Sequence, residues 1–307
     1  MLRRLLLYLS EAGWARGFVS HFFLARRVAH RFVAGETMDQ AISTTRHLNG
    51  QGLLVSLDYL GESIDHAQDT QDVVTTYTAL LDRIATEGLE ASVSLKLTHL
   101  GLDISEDLCT SNLRTILSAA QPHVIPVTID MESSDYTDRT LHIYRAMRDE
   151  HGFDNVGTVI QSMLRRSRAD MQVLAEEAAR IRLCKGAYLE PPSVAFPDKA
   201  DVDQSYLDIM AQSFEHTPPA KLEVATHDEK LIQAAEGHIK ARSLPAEAYE
   251  FQMLYGVRSA RQNELAAAGY PVRVYVPFGE AWYPYFMRRL AERPANLWFF
   301  VRSIFRA

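Results

Sequence analysis

Cysteine is nearly absent from this 307-residue chain: Cys109 and Cys184 are the whole complement. They make neither a disulfide framework nor a CxxC metal or redox pair, so the cytoplasm is the expected compartment. A surplus of positive charge is missing too. With a formal net charge of −7, no excess of cations is available to neutralise phosphates, which excludes a general nucleic-acid binder. The 11 histidines fall into no HxH or HExxH arrangement, so no metal is expected. No GxSxG or Cys–His signature supports a hydrolase. No apolar run is long enough to span a bilayer. Linkers rich in Pro, Gly or Ser and low-complexity tracts are lacking, and one domain over residues 1–307 is expected.

The first residues hold only a short apolar run, Leu5 to Leu9, shorter than a signal-peptide core. Glu11 and the helix-like continuation through residues 21–33 suit a folded N-terminal helical arm over residues 1–50. From Gly52 the chain alternates. Apolar or β-branched runs at Leu53–Asp58, Ser92–Leu97, Val124–Asp130, Val156–Gln161, Ile181–Cys184, Leu222–Thr226, Tyr249–Met253 and Val272–Val276 read as strands. Helix-like segments near 70–89, 105–120, 136–150, 167–180, 203–214, 228–241 and 258–268 separate them. Strict β/α alternation implies a parallel sheet, and eight units imply a closed (β/α)₈ barrel over residues 51–292. An open doubly wound sheet binding a dinucleotide would show G-x-G-x-x-G after its first strand, and none occurs.

Catalytic groups of such a barrel sit at the C-terminal ends of its strands, and strand alternation says which side chains point inward. Ser92, Ser94 and Lys96 share one face, as do Thr128 and Asp130. Gln161 ends the fourth strand and Arg182 lies inside the fifth, ahead of Lys185-Gly186-Ala187-Tyr188. Thr226-His227-Asp228 ends the sixth, while Gln252 and Tyr275 point inward from the last two. A ring of polar groups around one mouth is a site. Lys185-Gly186-Ala187 offers backbone N–H groups and a charge of the kind a phosphate needs. Thr226 and His227 would add donors, although a capping role also suits His227. A Schiff-base aldolase using Lys96 or Lys185 is a physical alternative, and a barrel without catalysis that acts as a binding module is another.

After the last strand, Tyr285, Arg288, Arg289 and Glu292 stand at i, i+3, i+4 and i+7 on one helix face, while Trp282, Phe286 and Leu290 form an apolar stripe on another. Paired guanidiniums suit a bidentate grip on a carboxylate or phosphate. A solvated face with an Arg288–Glu292 pair is the plainer reading.

The blocks Ser94-Leu95-Lys96-Leu97-Thr98, Ile129-Asp130, Arg182-Leu183-Cys184-Lys185-Gly186-Ala187-Tyr188, Ala225-Thr226-His227, Glu250-Phe251-Gln252, Tyr275-Val276-Pro277-Phe278-Gly279 and the Tyr-x-x-Arg-Arg-x-x-Glu helix resemble proline dehydrogenase, in its short monofunctional bacterial form. They appear in the family's order across residues 50–300. The resemblance implies a distorted barrel with the eighth helix over its mouth, noncovalent FAD, oxidation of L-proline to Δ1-pyrroline-5-carboxylate, and a membrane quinone as acceptor. It implies that Lys96, Arg288 and Arg289 hold the substrate carboxylate, with Glu292 on the same helix. Tyr275, Tyr285, Leu254 and Tyr188 would wall the ring. Asp130 and Arg182 become the catalytic pair. Met131, Gln161, Arg182, Lys185, Gly186, Ala187, Thr226 and His227 would carry FAD, and Glu62 would pair with Arg288 as a gate, where a solvated loop glutamate is the alternative. The aromatic segment 296–306, expected as a C-terminal helix within 293–307, would either meet the inner face of the cell membrane as a peripheral contact or pack on the core.

Overall fold

The run Val156–Gln161 is rich in apolar residues and buried along its whole length, which suits a strand covered on both faces. The computed structural model describes residues 31–216 and 221–292. It forms β1 (Leu54–Tyr59), β2 (Ala91–Leu95), β3 (Val127–Ile129), β4 (Val156–Gln161), β5 (Ile181–Cys184), β6 (Leu222–Ala225), β7 (Tyr249–Leu254) and β8 (Val272–Phe278). Each strand pairs in parallel with its sequence neighbour, and β8 pairs with β1 to close the barrel. The register opposes Ser56 to both Ser92 and Tyr275.

The helices are α1 (Met38–Asn49), α2 (Ala67–Thr86), α3 (Glu106–Ala120), α4 (Thr137–Arg145), α5 (Ser167–Glu176), α6 (Lys199–Glu215), α7 (Glu229–Arg242), α8 (Ser259–Ala267) and α9 (Trp282–Glu292). Their starts follow the local chemistry. Thr37 and Gln40 make a capping box for α1, and Asp228 accepts from the Lys230 N–H at the start of α7, each satisfying donors that the helix itself cannot. Apolar faces such as Tyr77, Leu80, Leu81 and Ile84 of α2, or Leu113, Ile116 and Leu117 of α3, are fully buried in one continuous core. Each Leu or Ile buried there contributes about 1.5–3 kcal/mol.

Several element boundaries differ from expectation, and two of the differences have a local cause. β3 is shorter, because residues 121–123 form a 3₁₀ turn that leaves Val124 left-handed at φ 55° and outside the ladder. The helical segment expected near 136–150 divides into α4 and a π-helical turn over Ala146–Glu150.

The ends of the barrel explain where the last helix lies. α1 packs against β1 and β8, filling the flank where an eighth helix would otherwise sit. The chain leaves β8 at Gly279 (φ 121°), whose N–H donates to the Gly35 carbonyl. Trp282 of α9 donates through Nε1 to Glu36, and Phe286 lies against Phe32. Ala281 and Pro284 then face the loops after β1 and β2 across a cavity of about 310 Å³. The expected arm over residues 1–30 and the C-terminal segment 293–307 lie outside the described residues.

Candidate active site

Arg182 on β5 points into the barrel, as its place in the strand requires, and is almost completely buried. A buried guanidinium needs partners on every side, and the neighbouring strands supply them. Nε donates to Gln252 (2.6 Å), Nη1 to Asp130 (2.5 Å) and Nη2 to Ser94 (2.9 Å). The Asp130 carboxylate, at the end of β3, takes its second hydrogen bond from the Tyr275 hydroxyl at 2.7 Å. The guanidinium also lies 5.3 Å from the centre of the Tyr275 ring. Asp130, Arg182 and Tyr275 are therefore one rigid unit, with the tyrosine ring held as a wall. Burial pushes the Asp130 carboxyl above its ordinary range, against the pull of Arg182 and Lys96.

Lys96 follows β2 and sits 3.4 Å from Asp58 of β1. Burial opposes its charge, but Asp58, Asp130 and Glu62 outweigh that and hold its pKa above the ordinary lysine value. A persistent cation is suited to binding a carboxylate and unsuited to Schiff-base chemistry, which needs the neutral amine. The cavity beside it is lined by Glu62, Lys96, His99 and Glu280 among others. His99 fills the space above Gly61, where a Cβ would come within 2.1 Å of its Nε2. Burial depresses the His99 pKa to about 4.

On the opposite wall, Gln161 donates through Nε2 to the carbonyls of Met131 and Glu132, each at 2.9 Å. Its Oε1 is buried and has no partner among the described residues. The N–H groups of Gly186 and Ala187 likewise donate to nothing among them. Gly186 has φ 102°, and a Cβ there would lie 2.4 Å from the Met163 sulfur, so this backbone must stay bare. Thr226 accepts from the Asp228 N–H in a tight turn. His227 Nε2 accepts from the Leu254 N–H at 2.9 Å, which puts the proton of the neutral ring on Nδ1. Leu254 thus stands beside His227 at the end of β7.

Lys185 lies in a cluster of charges. Its ammonium lies between Asp203 (2.5 Å) and Asp228 (2.8 Å), and Lys199 meets the same two carboxylates. Its charge is already matched. On α9, Tyr285 is buried and the Arg289 guanidinium lies 5.1 Å from its ring centre. The side chains of Arg288, Leu290 and Glu292 lie outside the described residues, and with them the expected Arg288 partner of Glu62.

Several site groups escaped the sequence analysis. Asp58, Glu223, Glu250 and Arg273 fill the barrel interior with ion pairs. Glu223 meets Arg180 at 2.5 Å and Arg182 at 3.6 Å. Glu250 takes the Arg273 fork at 2.6 and 3.0 Å and a hydrogen bond from Gln252 at 2.8 Å. The alternation that picked out Arg182, Gln252 and Tyr275 also marks Glu223, Glu250 and Arg273 as inward.

The sequence model of the proline dehydrogenase family matches residues 41–302. The chain is similar to proline dehydrogenase 1 of Bacillus subtilis subsp. natto, 42% identical over 307 residues that cover 99% of each chain. It is 41% identical over 281 residues to the proline dehydrogenase of Deinococcus radiodurans, covering 90% of each. Among solved structures, proline utilization A from Bdellovibrio bacteriovorus aligns with a TM-score of 0.82 at 24% identity, over 91% of this chain and 34% of that one. At that identity the likeness concerns the fold, a closed eight-stranded barrel. With a family model that matches most of the chain and relatives about 40% identical nearly end to end, the chain belongs to the proline dehydrogenase family.

Proposed function

We propose that this chain oxidises L-proline to Δ1-pyrroline-5-carboxylate, the first step of proline catabolism to glutamate, using noncovalent FAD and a membrane quinone as final acceptor. In a member of this family, the observation that carries the reading is the Asp130–Arg182–Tyr275 unit at the barrel mouth.

The residues fit the cofactor. Among the described residues, the buried Gln161 Oε1 has no partner and the Gly186 and Ala187 N–H groups have no acceptors. Such a set suits a flavin ring edge and a diphosphate. Met131, Gln161, Arg182, Lys185, Gly186, Ala187, Thr226 and His227 are the residues that would hold it. When bound, FAD accepts the hydride leaving substrate C5, on N5 of its ring. The protein's work is orientation and charge. Lys96, Arg288 and Arg289 fix the substrate carboxylate, with Glu292 on the same helix. Tyr275, Tyr285, Leu254 and Tyr188 exclude water from the ring, and Asp130 keeps Arg182 and Tyr275 in place. The same reading has Glu62 as the gate, closing on Arg288 over bound substrate. Glu62→Ala should then raise KM severalfold with kcat little changed, and wild-type kinetics would remove the gate.

A peripheral position at the inner face of the cell membrane fits quinone reduction. No helix among the described residues is long and apolar enough to cross a membrane. The absorbance spectrum of the purified protein tests the proposal directly. Flavin bands that bleach on anaerobic addition of L-proline are the expected result. Bands that persist would overturn the substrate. No flavin, even after FAD is supplied, would overturn the oxidoreductase reading.

A further inference from the structure

We propose that His99 is a positioning residue for Glu62: its imidazole is the surface on which the Gly61 backbone lies, and it sets how far the Glu62 carboxylate reaches over the cavity beside Lys96. The inference rests on the gate reading above and adds the element that places the gate.

The loop between β1 and α2 is fastened at both ends. The Leu60 N–H donates to the Phe278 carbonyl at 2.8 Å, and the Ile64 N–H to the Thr98 carbonyl at 3.3 Å. Gly61, Glu62 and Ser63 span the interval, with Ser63 left-handed at φ 52°. Beneath Gly61 lies the His99 ring, which a Cβ on Gly61 would overlap. Gly61 has no positive φ, so its backbone would accept other residues, and it is the imidazole that leaves no room for a side chain. The ring is not free to give way. It is buried and lies against Tyr59, centres 5.6 Å apart at 31°, and Tyr59 in turn lies 5.4 Å from Phe278. The backbone beneath the ring is fixed as well. The His99 N–H donates to the Lys96 carbonyl at 3.2 Å. Thr98 donates to Glu132 through its N–H at 3.2 Å and its hydroxyl at 2.7 Å. The short turn Thr98–Leu100 therefore follows directly on Lys96 and supports Glu62 as well, so ammonium and carboxylate keep a set relation across the cavity they line. Burial, and then the Lys96 charge, lower the His99 pKa to about 4. A neutral imidazole neither repels Lys96 nor competes with it for Glu62.

The test is a steric exchange, read by steady-state kinetics with L-proline and an artificial acceptor and, without turnover, by thermal melts. Gly61→Ala crowds the ring and lifts the loop, so it should raise KM to the level of Glu62→Ala with kcat little changed. His99→Ala makes room for the new methyl. Gly61→Ala combined with His99→Ala should therefore recover most of the KM and of the Tm that Gly61→Ala loses. Glu62→Ala should add nothing on top of Gly61→Ala, since both act through one carboxylate. A double variant no better than Gly61→Ala would overturn the inference. So would effects of Gly61→Ala and Glu62→Ala that multiply, or a loss of kcat with KM unchanged. If Gly61→Ala does not fold, His99→Ala alone decides: KM raised severalfold at constant kcat is the expected result, and wild-type kinetics overturn the role. Glu62→Ala with wild-type kinetics would instead remove the gate itself, whatever the Tm of the exchanged pair.

Discussion

Arg182→Met is expected to lower kcat/KM for L-proline roughly 10²- to 10³-fold, the cost typical of losing one preorganised donor at a reacting centre. The side chain fits the space approximately but removes three hydrogen bonds at once, to Gln252, Asp130 and Ser94. Asp130 then keeps only Tyr275, and its carboxyl, already raised by burial, rises further once its strongest counter-charge is gone. A carboxyl pushed further up is a weaker acceptor for the Tyr275 hydroxyl, so the ring wall loosens with the guanidinium. Lysine is no substitute, because one ammonium cannot reproduce a planar fork with three separate partners. The measurement is turnover per bound flavin with an artificial acceptor, for Arg182→Met, Arg182→Lys and Tyr275→Phe. Tyr275→Phe keeps the wall and loses one hydrogen bond, so it should cost far less than either arginine change. Arg182→Lys retaining more than a tenth of wild-type turnover would sink this account.

Glu223→Gln is expected to destabilise the protein by about 3–5 kcal/mol, because it leaves Arg180 and Arg182 short of a buried counter-charge. That corresponds to a fall in Tm of roughly 5–8 °C. The variant should also respond differently to acid. Burial raises the Glu223 pKa, but Arg180, Arg182 and Arg273 outweigh it and hold the value at about 2, below its ordinary 4.5. A carboxylate depressed on folding contributes stability that is complete above its unfolded value and is lost as pH falls towards the folded one. Wild-type stability should therefore decline between about pH 4.5 and 2 more steeply than that of Glu223→Gln. Denaturant melts across that interval provide the comparison. Parallel curves would mean that the ion pair is not formed in solution.

How far the sequence could be read depends on what each feature requires. β4 and β5 match the expected strands residue for residue, because each is a short bounded run rich in apolar residues and covered on both faces. Val124 misled because β-branched residues favour strands, while the Pro122 turn before it holds its backbone left-handed. Inward orientation of Arg182 and Tyr275 was legible from alternation, yet their contact with Asp130 was not, since it joins three strands far apart in the chain. Glu223, Glu250 and Arg273 obey the same alternation but lie deeper in the barrel, away from the strand ends where catalytic groups gather. At Lys185 the carboxylates of Asp203 and Asp228 that meet the ammonium come from α6 and the start of α7, and the sequence around the lysine carries no sign of them.

The closure of the barrel by distant segments bears on how the protein acquires its shape. Ala34 donates to the Pro277 carbonyl, Gly279 to Gly35, and Trp282 to Glu36, so contacts separated by nearly the whole described chain seal the seam between β1 and β8. Until β8 has been synthesised, β1 carries an unpaired edge open to wrong partners. Long-range parallel pairing of this kind slows folding and prolongs exposure to aggregation. The seam is therefore the step at which chaperones, temperature and expression rate should decide the yield of native protein.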